Sequence, residues 1–213
     1  MLKSSYYEDP NIIECGLDEA GAGCLCGPVT AAAVIWPKDL ELCKELEILD
    51  DSKKMTEKKR NSIIDFIKEN AIEYSITFIS NKKIDEINIL NSRILAMHKC
   101  IDKLQTNVDL LLVDGNRFKT YKTKDGHEIE YKTIIKGDAT YQSIAAASVL
   151  AKCARDKYMV TKIHKEIPDY GVDKHKGYPT SSHKEVIKEK GVTKYHRLTF
   201  KGCKEYVNNC NDD

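Results

Sequence analysis

Adjacent carboxylates are the first sign of chemistry in this chain. Asp18 and Glu19 end an apolar run that begins with Ile12 and Ile13. They sit inside Cys15-Gly16-Leu17-Asp18-Glu19-Ala20-Gly21-Ala22-Gly23, which runs into a glycine-rich turn. Two neighbouring ionised acids at the end of a buried strand are costly without a partner. A divalent cation between them would remove that cost, and glycine backbone beyond lets a ligand approach closely. Taken alone, the segment fits two surface acids at a strand end equally well.

Two more acids stand in comparable places. Val108–Asp114 is an apolar run that ends in a carboxylate before Gly115-Asn116, and Glu130–Lys136 leads into Gly137-Asp138. Ends of neighbouring strands, about 4.8 Å apart, can bring such acids together. Each aspartate by itself reads as a turn residue. Jointly, Asp18, Glu19, Asp114 and Asp138 are what two Mg²⁺ or Mn²⁺ ions about 4 Å apart need for in-line displacement at a phosphodiester, one ion activating water and the other stabilising the leaving 3′ oxygen. Mg²⁺ prefers oxygen ligands and keeps several waters, so a few carboxylates suffice.

The elements that must position these acids follow from periodicity. Ile12–Asp18, Val29–Trp36, Tyr74–Ser80, Val108–Asp114 and Glu130–Lys136 read as five strands. Leu40–Leu49 has helical spacing. Thr56 with Glu57 caps a helix over 56–69, and Ile84–Leu104 is a long amphipathic helix. Ser143–Lys165 is a helix whose first turns, Ile144-Ala145-Ala146-Ala147-Ser148, are small enough to pack close to a sheet. Ser182–Lys190 is a short helix closed by Gly191. The order predicts an α/β fold, a mixed five-stranded sheet with helices on its faces. Residues 1–11 are expected to be loose, 12–165 to form the catalytic domain and 166–213 a basic extension.

A chain of 213 residues, 41% hydrophobic, can bury a core of one domain. Its net charge of +1 gives no overall signal for nucleic acid, but the distribution does. Lys174 to Lys204 holds nine Lys/Arg against two acids, and Lys53, Lys54, Lys58, Lys59 and Arg60 form a second cluster. Either cluster alone fits a solvated face. Two of them beside a carboxylate site fit a phosphate backbone. Eight cysteines without a CxxC pair, no secretory signal and no membrane-length apolar run predict reduced thiols in a reducing cytosol or nucleus and no membrane association, and the cytoplasm is the location expected. Cys24 and Cys26 are too close together for a usual zinc pair. The six histidines read mostly as surface residues, with His175 closest to the basic loop.

Beyond these readings, the chain resembles the ribonuclease HII family, the type 2 ribonucleases H. The matching blocks are Gly16 to Val29, Asp51-Ser52-Lys53-Lys54, Ile87-Asn88-Ile89-Leu90 with Ala96-Met97, Val113-Asp114-Gly115-Asn116-Arg117 and Lys136-Gly137-Asp138. They continue with Ser143 to Lys152, Arg155-Asp156 and Lys174-His175-Lys176-Gly177-Tyr178, so the resemblance runs from Gly16 to about Phe200 in one order. It implies a ribonuclease H-like fold with a C-terminal helical extension, and a monomer without an obligate protein partner. By similarity, Asp18, Glu19, Asp114 and Asp138 would be the catalytic and metal-binding acids, holding two Mn²⁺ or Mg²⁺ ions with Asp18 shared. The implied reaction is hydrolysis of the RNA strand of RNA/DNA hybrids, and nicking of DNA duplexes 5′ to embedded ribonucleotides, leaving 3′-OH and 5′-phosphate ends. That would serve ribonucleotide excision repair and primer removal.

The resemblance also implies substrate contacts. Tyr178 would stack at the ribonucleotide and read its 2′-OH; a tyrosine offers both a flat ring and a hydroxyl for that task. Gly21, Ala22 and Gly23 would bring backbone against the same sugar, and Ser52, Lys53 and Lys54, with Lys174–Lys176, would hold phosphates. One departure stands out: the family has Gly-Arg-Gly where this chain has Gly21-Ala22-Gly23. Backbone contacts survive an alanine, whereas an arginine–phosphate contact does not. Cys26 replaces a usual alanine and is expected to pack. The readings weighed against this one are another metal nuclease of the same broad fold, a non-catalytic hybrid-binding module, and a ribonuclease HIII, whose extra N-terminal domain is not expected here.

Overall fold

The computed structural model describes residues 2–41, 43–49 and 55–209. One mixed sheet has the strand order β3-β2-β1-β4-β5. β1 (Glu14–Ala20) runs antiparallel to β2 (Val29–Ile35), and β2 antiparallel to β3 (Glu73–Ile79). On its other side β1 is parallel to β4 (Leu110–Asp114), which is parallel to β5 (Glu130–Ile134). The five strands and their mixed arrangement are those expected from periodicity. β1 begins two residues late because Ile13 is engaged differently: its N–H donates to Asp109 Oδ2 at 2.8 Å.

Alternation along the strands divides the core into two layers. Cys15, Leu17, Ala31, Ala33 and Ile35 face α3 (Asn81–Ile101), meeting Ile84, Ala96, Met97 and Cys100. Ala20, Ala32, Val34 and Trp36 face α4 (Gln142–Tyr158) and α2 (Glu57–Asn70). The helix α1 is short, Lys44–Ile48, within the longer helical stretch expected. In α3 the chain kinks at Asn88, whose φ is 64°. The Asn88 side chain restarts the helix there, accepting the Asn91 N–H at 3.1 Å. The apolar stripe continues through the kink, so periodicity alone reads one helix.

The helix α4 lies in very close contact with β1. A β-carbon on Gly16 would lie 2.3 Å from the Ser143 carbonyl carbon. Alanines at 145–147 complete a helix face that can lie this close to the sheet. After Tyr158 the helix widens into a π-helical turn, Met159–Ile163, before a last α-turn, α5 (His164–Glu166). The single expected helix is thus three segments; the wider turn carries Met159 and Ile163 into the C-terminal cluster.

Residues 2–11, expected to be loose, are pinned. Lys3 N–H donates to Thr140 O at 2.8 Å and Gln142 N–H to Lys3 O at 2.9 Å. The buried Glu14 carboxylate accepts the N–H groups of Tyr6 and Tyr7 at 2.8 and 2.7 Å. A buried carboxylate needs donors, and this segment supplies them.

A C-terminal layer adds α6 (Val172–His175) and α7 (Ser181–Lys190), packing Tyr170, Val172, Ile187 and Cys203 on Leu25 and Cys26. Cys26 is fully buried, the packing role expected of it. Two histidines read as surface residues are fully buried here, His183 and His196. Their tautomers are fixed by their partners. His183 Nδ1 lies 2.9 Å from Tyr178 O, an acceptor, so it carries the proton. His196 Nδ1 accepts the Thr193 N–H at 2.9 Å, so its Nε2 carries hydrogen and donates to His183 Nε2 at 3.2 Å. Neither ring can take a second proton without setting two donors face to face. Burial lowers His183 to about 4 and His196 to about 3.

Two outcomes follow from this packing. Gly16→Ala will cost about 2–3 kcal/mol in urea denaturation, the usual cost of overpacking. Gly23→Ala, whose β-carbon meets nothing within 4 Å, will stay within about 0.5 kcal/mol. Equal effects would contradict the close contact. The two histidines stay neutral in the fold but charge in the unfolded chain below about pH 6.5. Stability is therefore full above that value and falls between about pH 6.5 and 4, each histidine contributing ~1.4 kcal/mol per pH unit inside the window. Thermal melts of wild type and His196→Gln across that range check it: the variant's slope will be shallower.

Candidate active site

Asp18, Asp114 and Asp138 converge on the α4 side of the sheet. One carboxylate oxygen from each lies within 4.8 Å of the others. Asp18 shares its face with Ala20, and Asp114 follows Leu112, which packs on Ile144 at the start of α4. Asp138 sits in a short 3₁₀ turn, Gly137–Ala139, and Gly137 N–H donates to Asp114 Oδ1 at 2.8 Å. The turn thus locks two of the acids to one another.

Asp18 and Asp138 are both buried. Burial, then the charges of Glu19 and Asp114, push the Asp18 carboxyl well above the ordinary carboxylate range; the Ser148 hydroxyl and the Glu19 N–H pull it partly back. Asp18 Oδ1 accepts that N–H at 2.7 Å. Its Oδ2 is buried and has no hydrogen-bond partner among the described residues. An orphaned buried oxygen within a set of carboxylates, with no sulfur or imidazole in it, fits a hard divalent cation.

Glu19 is the exception among the four expected acids. Strand alternation sends it to the opposite, α3 face, where Arg93 Nε lies 2.8 Å from its Oε1. It stands next to the aspartate cluster in sequence but is not one of the three grouped residues.

The glycine turn is built around two fully buried arginines. Arg155 of α4 donates to Pro28 O, Lys176 O and Cys26 O at 2.9, 2.9 and 3.1 Å. Arg197 donates to Gly27 O, Ala22 O and Gly21 O at 3.0, 2.8 and 2.7 Å. Burial lowers Arg197 to about 10, which leaves it charged at neutral pH. Gly21 has φ +87°, and a β-carbon there would lie 1.9 Å from Arg155 Nε, so this position admits only glycine. Leu25 N–H reaches Gly177 O at 2.8 Å, tying the turn to the loop that carries Tyr178. Tyr178 is 37% exposed, with Lys152 Nζ 5.2 Å and Arg155 Cζ 5.9 Å from its ring centroid.

The fold therefore brings together three expected acids, and separately joins Gly21–Gly23 to the Tyr178 loop. Ser52, Lys53 and Lys54 lie outside the described residues. Sequence reasoning missed the roles of Ser148, Arg93, Arg155 and Arg197. Arg197 was counted in a basic face, and its burial carries no signal in charge patterning. Arg155 and Ser148 stood inside recognised blocks, where their spacing from Lys152 along α4 was the available clue.

The sequence profile of ribonuclease HII matches residues 15–203. The chain is 50% identical over 195 residues to ribonuclease HII of Christiangramia forsetii, covering 92% of this chain and 93% of that protein. It is 50% identical over 189 residues to ribonuclease HII of Bacteroides fragilis, covering 89% of each. Among solved structures, ribonuclease H2 of Pyrococcus horikoshii superposes with a TM-score of 0.74 at 21% identity, covering 92% of this chain and 98% of that one. Bst-RNase HIII in complex with Mn²⁺ gives 0.63 at 16% identity, covering 94% and 71%. These last two establish the ribonuclease H-like fold. With a profile match across nearly all of its length and relatives identical at half their positions, the chain belongs to the ribonuclease HII family and is a ribonuclease H, a hydrolase of the endonuclease class.

Proposed function

We propose that this ribonuclease H hydrolyses the RNA strand of RNA/DNA hybrids and nicks DNA duplexes on the 5′ side of an embedded ribonucleotide, leaving 3′-OH and 5′-phosphate ends. Its role is removal of ribonucleotides and RNA primers from DNA, in the cytoplasm, as a monomer without an obligate protein partner. The observation that carries this reading is the convergence of Asp18, Asp114 and Asp138 around the orphaned Asp18 Oδ2. Asp18, Asp114 and Asp138, joined by Glu19, would hold two divalent ions, Mg²⁺ or Mn²⁺, which would supply water activation and stabilisation of the leaving 3′ oxygen. Ser148 orients Asp18 through its hydroxyl, and the Gly137 N–H fixes Asp114.

Residues 12–165 are the catalytic domain and 166–213 a basic substrate-binding extension. Recognition of the ribose falls to the turn and the tyrosine. Ser148 and Lys152 are one turn of α4 apart, about 6 Å along the axis. The helix that supports Asp18 therefore also sets a cation over the Tyr178 ring. Tyr178 stacks on the ribonucleotide and meets its 2′-OH, while Gly21, Ala22 and Gly23 present backbone to the same sugar. The open space at Gly23 suits that approach. Ser52, Lys53, Lys54 and Lys174–Lys176 hold phosphates on either side.

Cleavage mapping with Mg²⁺ and with Mn²⁺ on three duplexes tests this: all-DNA, hybrid, and DNA with one ribonucleotide. The one-ribonucleotide duplex will be cut once, 5′ to the ribose, and the all-DNA duplex will not be cut. Asp138→Asn will slow cleavage by on the order of 10²-fold or more. Cutting of all-DNA at a similar rate, or full activity of Asp138→Asn, would overturn the assignment. Ala22→Arg will raise kcat/KM on the one-ribonucleotide duplex about 10-fold, the effect of one ~1.4 kcal/mol phosphate contact; no gain would show that Ala22 costs the enzyme nothing.

A further inference from the structure

Arg93 is unaccounted for by the reading of the acids as a cation site. It projects from α3 after the Asn88 kink and meets Glu19 on the α3 face of the central strand β1, Nε to Oε1 at 2.8 Å. Both side chains are largely buried, 27% and 10% exposed, so the attraction is less screened than in a surface pair. The same guanidinium borders the end of β4: a β-carbon on Gly115 would lie 3.9 Å from Arg93 Nη2. A fixed positive charge thus stands behind the acids, on the face opposite Asp18, Asp114 and Asp138.

We propose that Arg93 is a positioning residue that holds Glu19 in reserve, competing with a divalent cation for its carboxylate. The proposal rests on the reading of the aspartates as a cation site. The pleat turns Asp18 and Glu19 to opposite faces. Glu19 can join an ion among the aspartates only by turning around the strand end, away from Arg93. In the metal-free protein the guanidinium neutralises a fourth negative charge that would otherwise add to three crowded ones. When a cation enters, it must draw Glu19 off that partner or share it, so Arg93 lowers the cation affinity of the free enzyme and keeps the fourth ligand available for a loaded site.

The test is calorimetric titration of chelator-treated protein with MnCl₂, with activity not needed as a readout. Releasing Glu19 from its ion-pair partner will make Arg93→Gln bind Mn²⁺ at least about 5-fold more tightly than wild type. Arg93→Lys, which keeps the charge, will stay within about 2-fold. In a Glu19→Gln background the Arg93→Gln substitution will change affinity by less than about 2-fold, because the competition runs through Glu19. Unchanged or weaker Mn²⁺ binding by Arg93→Gln, or an equal gain in the Glu19→Gln background, would overturn the proposal. A lowered Tm with unchanged Mn²⁺ affinity would likewise mark Arg93 as structural only. Asp114→Asn tests the site separately: if it binds Mn²⁺ as wild type does, the aspartate cluster is not the cation site, and both readings fall.

Discussion

Everything near the acids depends on how closely α4 lies on β1. Gly16 permits that contact, and the small residues that follow Ser143 extend it. With the helix seated at that depth, Ser148 meets Asp18 and Lys152 stands over Tyr178. Arg155, further along, reaches the carbonyls of the glycine turn. A helix held one side-chain layer further out would separate these groups. The sheet and the helix therefore act as one ruler, with the acids near one end and the tyrosine further along.

Buried charge is handled in two opposite ways along that ruler. Arg155 and Arg197 are fully buried, yet six main-chain carbonyls accept from them. Their cost is met within the chain, and the turn gains rigidity. The aspartates are crowded against one another, and Asp18 keeps an oxygen with no donor. A buried carboxylate oxygen left unmatched inside a crowded set of acids is one that a cation from outside the chain can satisfy.

Much of this was legible in the sequence, for reasons that differ by residue. The strands were visible from their apolar runs and alternation, and the acids because each stands where one of three such runs, β1, β4 or β5, leads into a glycine turn. Alternation also held the answer for Glu19: neighbours on a strand face opposite ways, so Asp18 and Glu19 do not enter one cluster from one face. The kink at Asn88 was hidden because the apolar stripe runs straight through it. His183, His196 and Arg197 were misread as surface residues because polar composition says nothing of a network that satisfies itself internally. The pinning of residues 2–11 depended on Glu14, a charge whose partners become visible only in three dimensions.

On this reading the three aspartates are held together to bind a divalent cation. Crystals grown without metal and then soaked in MnCl₂, with anomalous scattering recorded at the manganese edge, test it most directly. Strong peaks are expected about 2 Å from the oxygens of Asp18, Asp114 and Asp138, with Asp18 Oδ2 among the ligands. Aspartates left without an anomalous peak at saturating Mn²⁺, with manganese bound only elsewhere on the molecule, would contradict it.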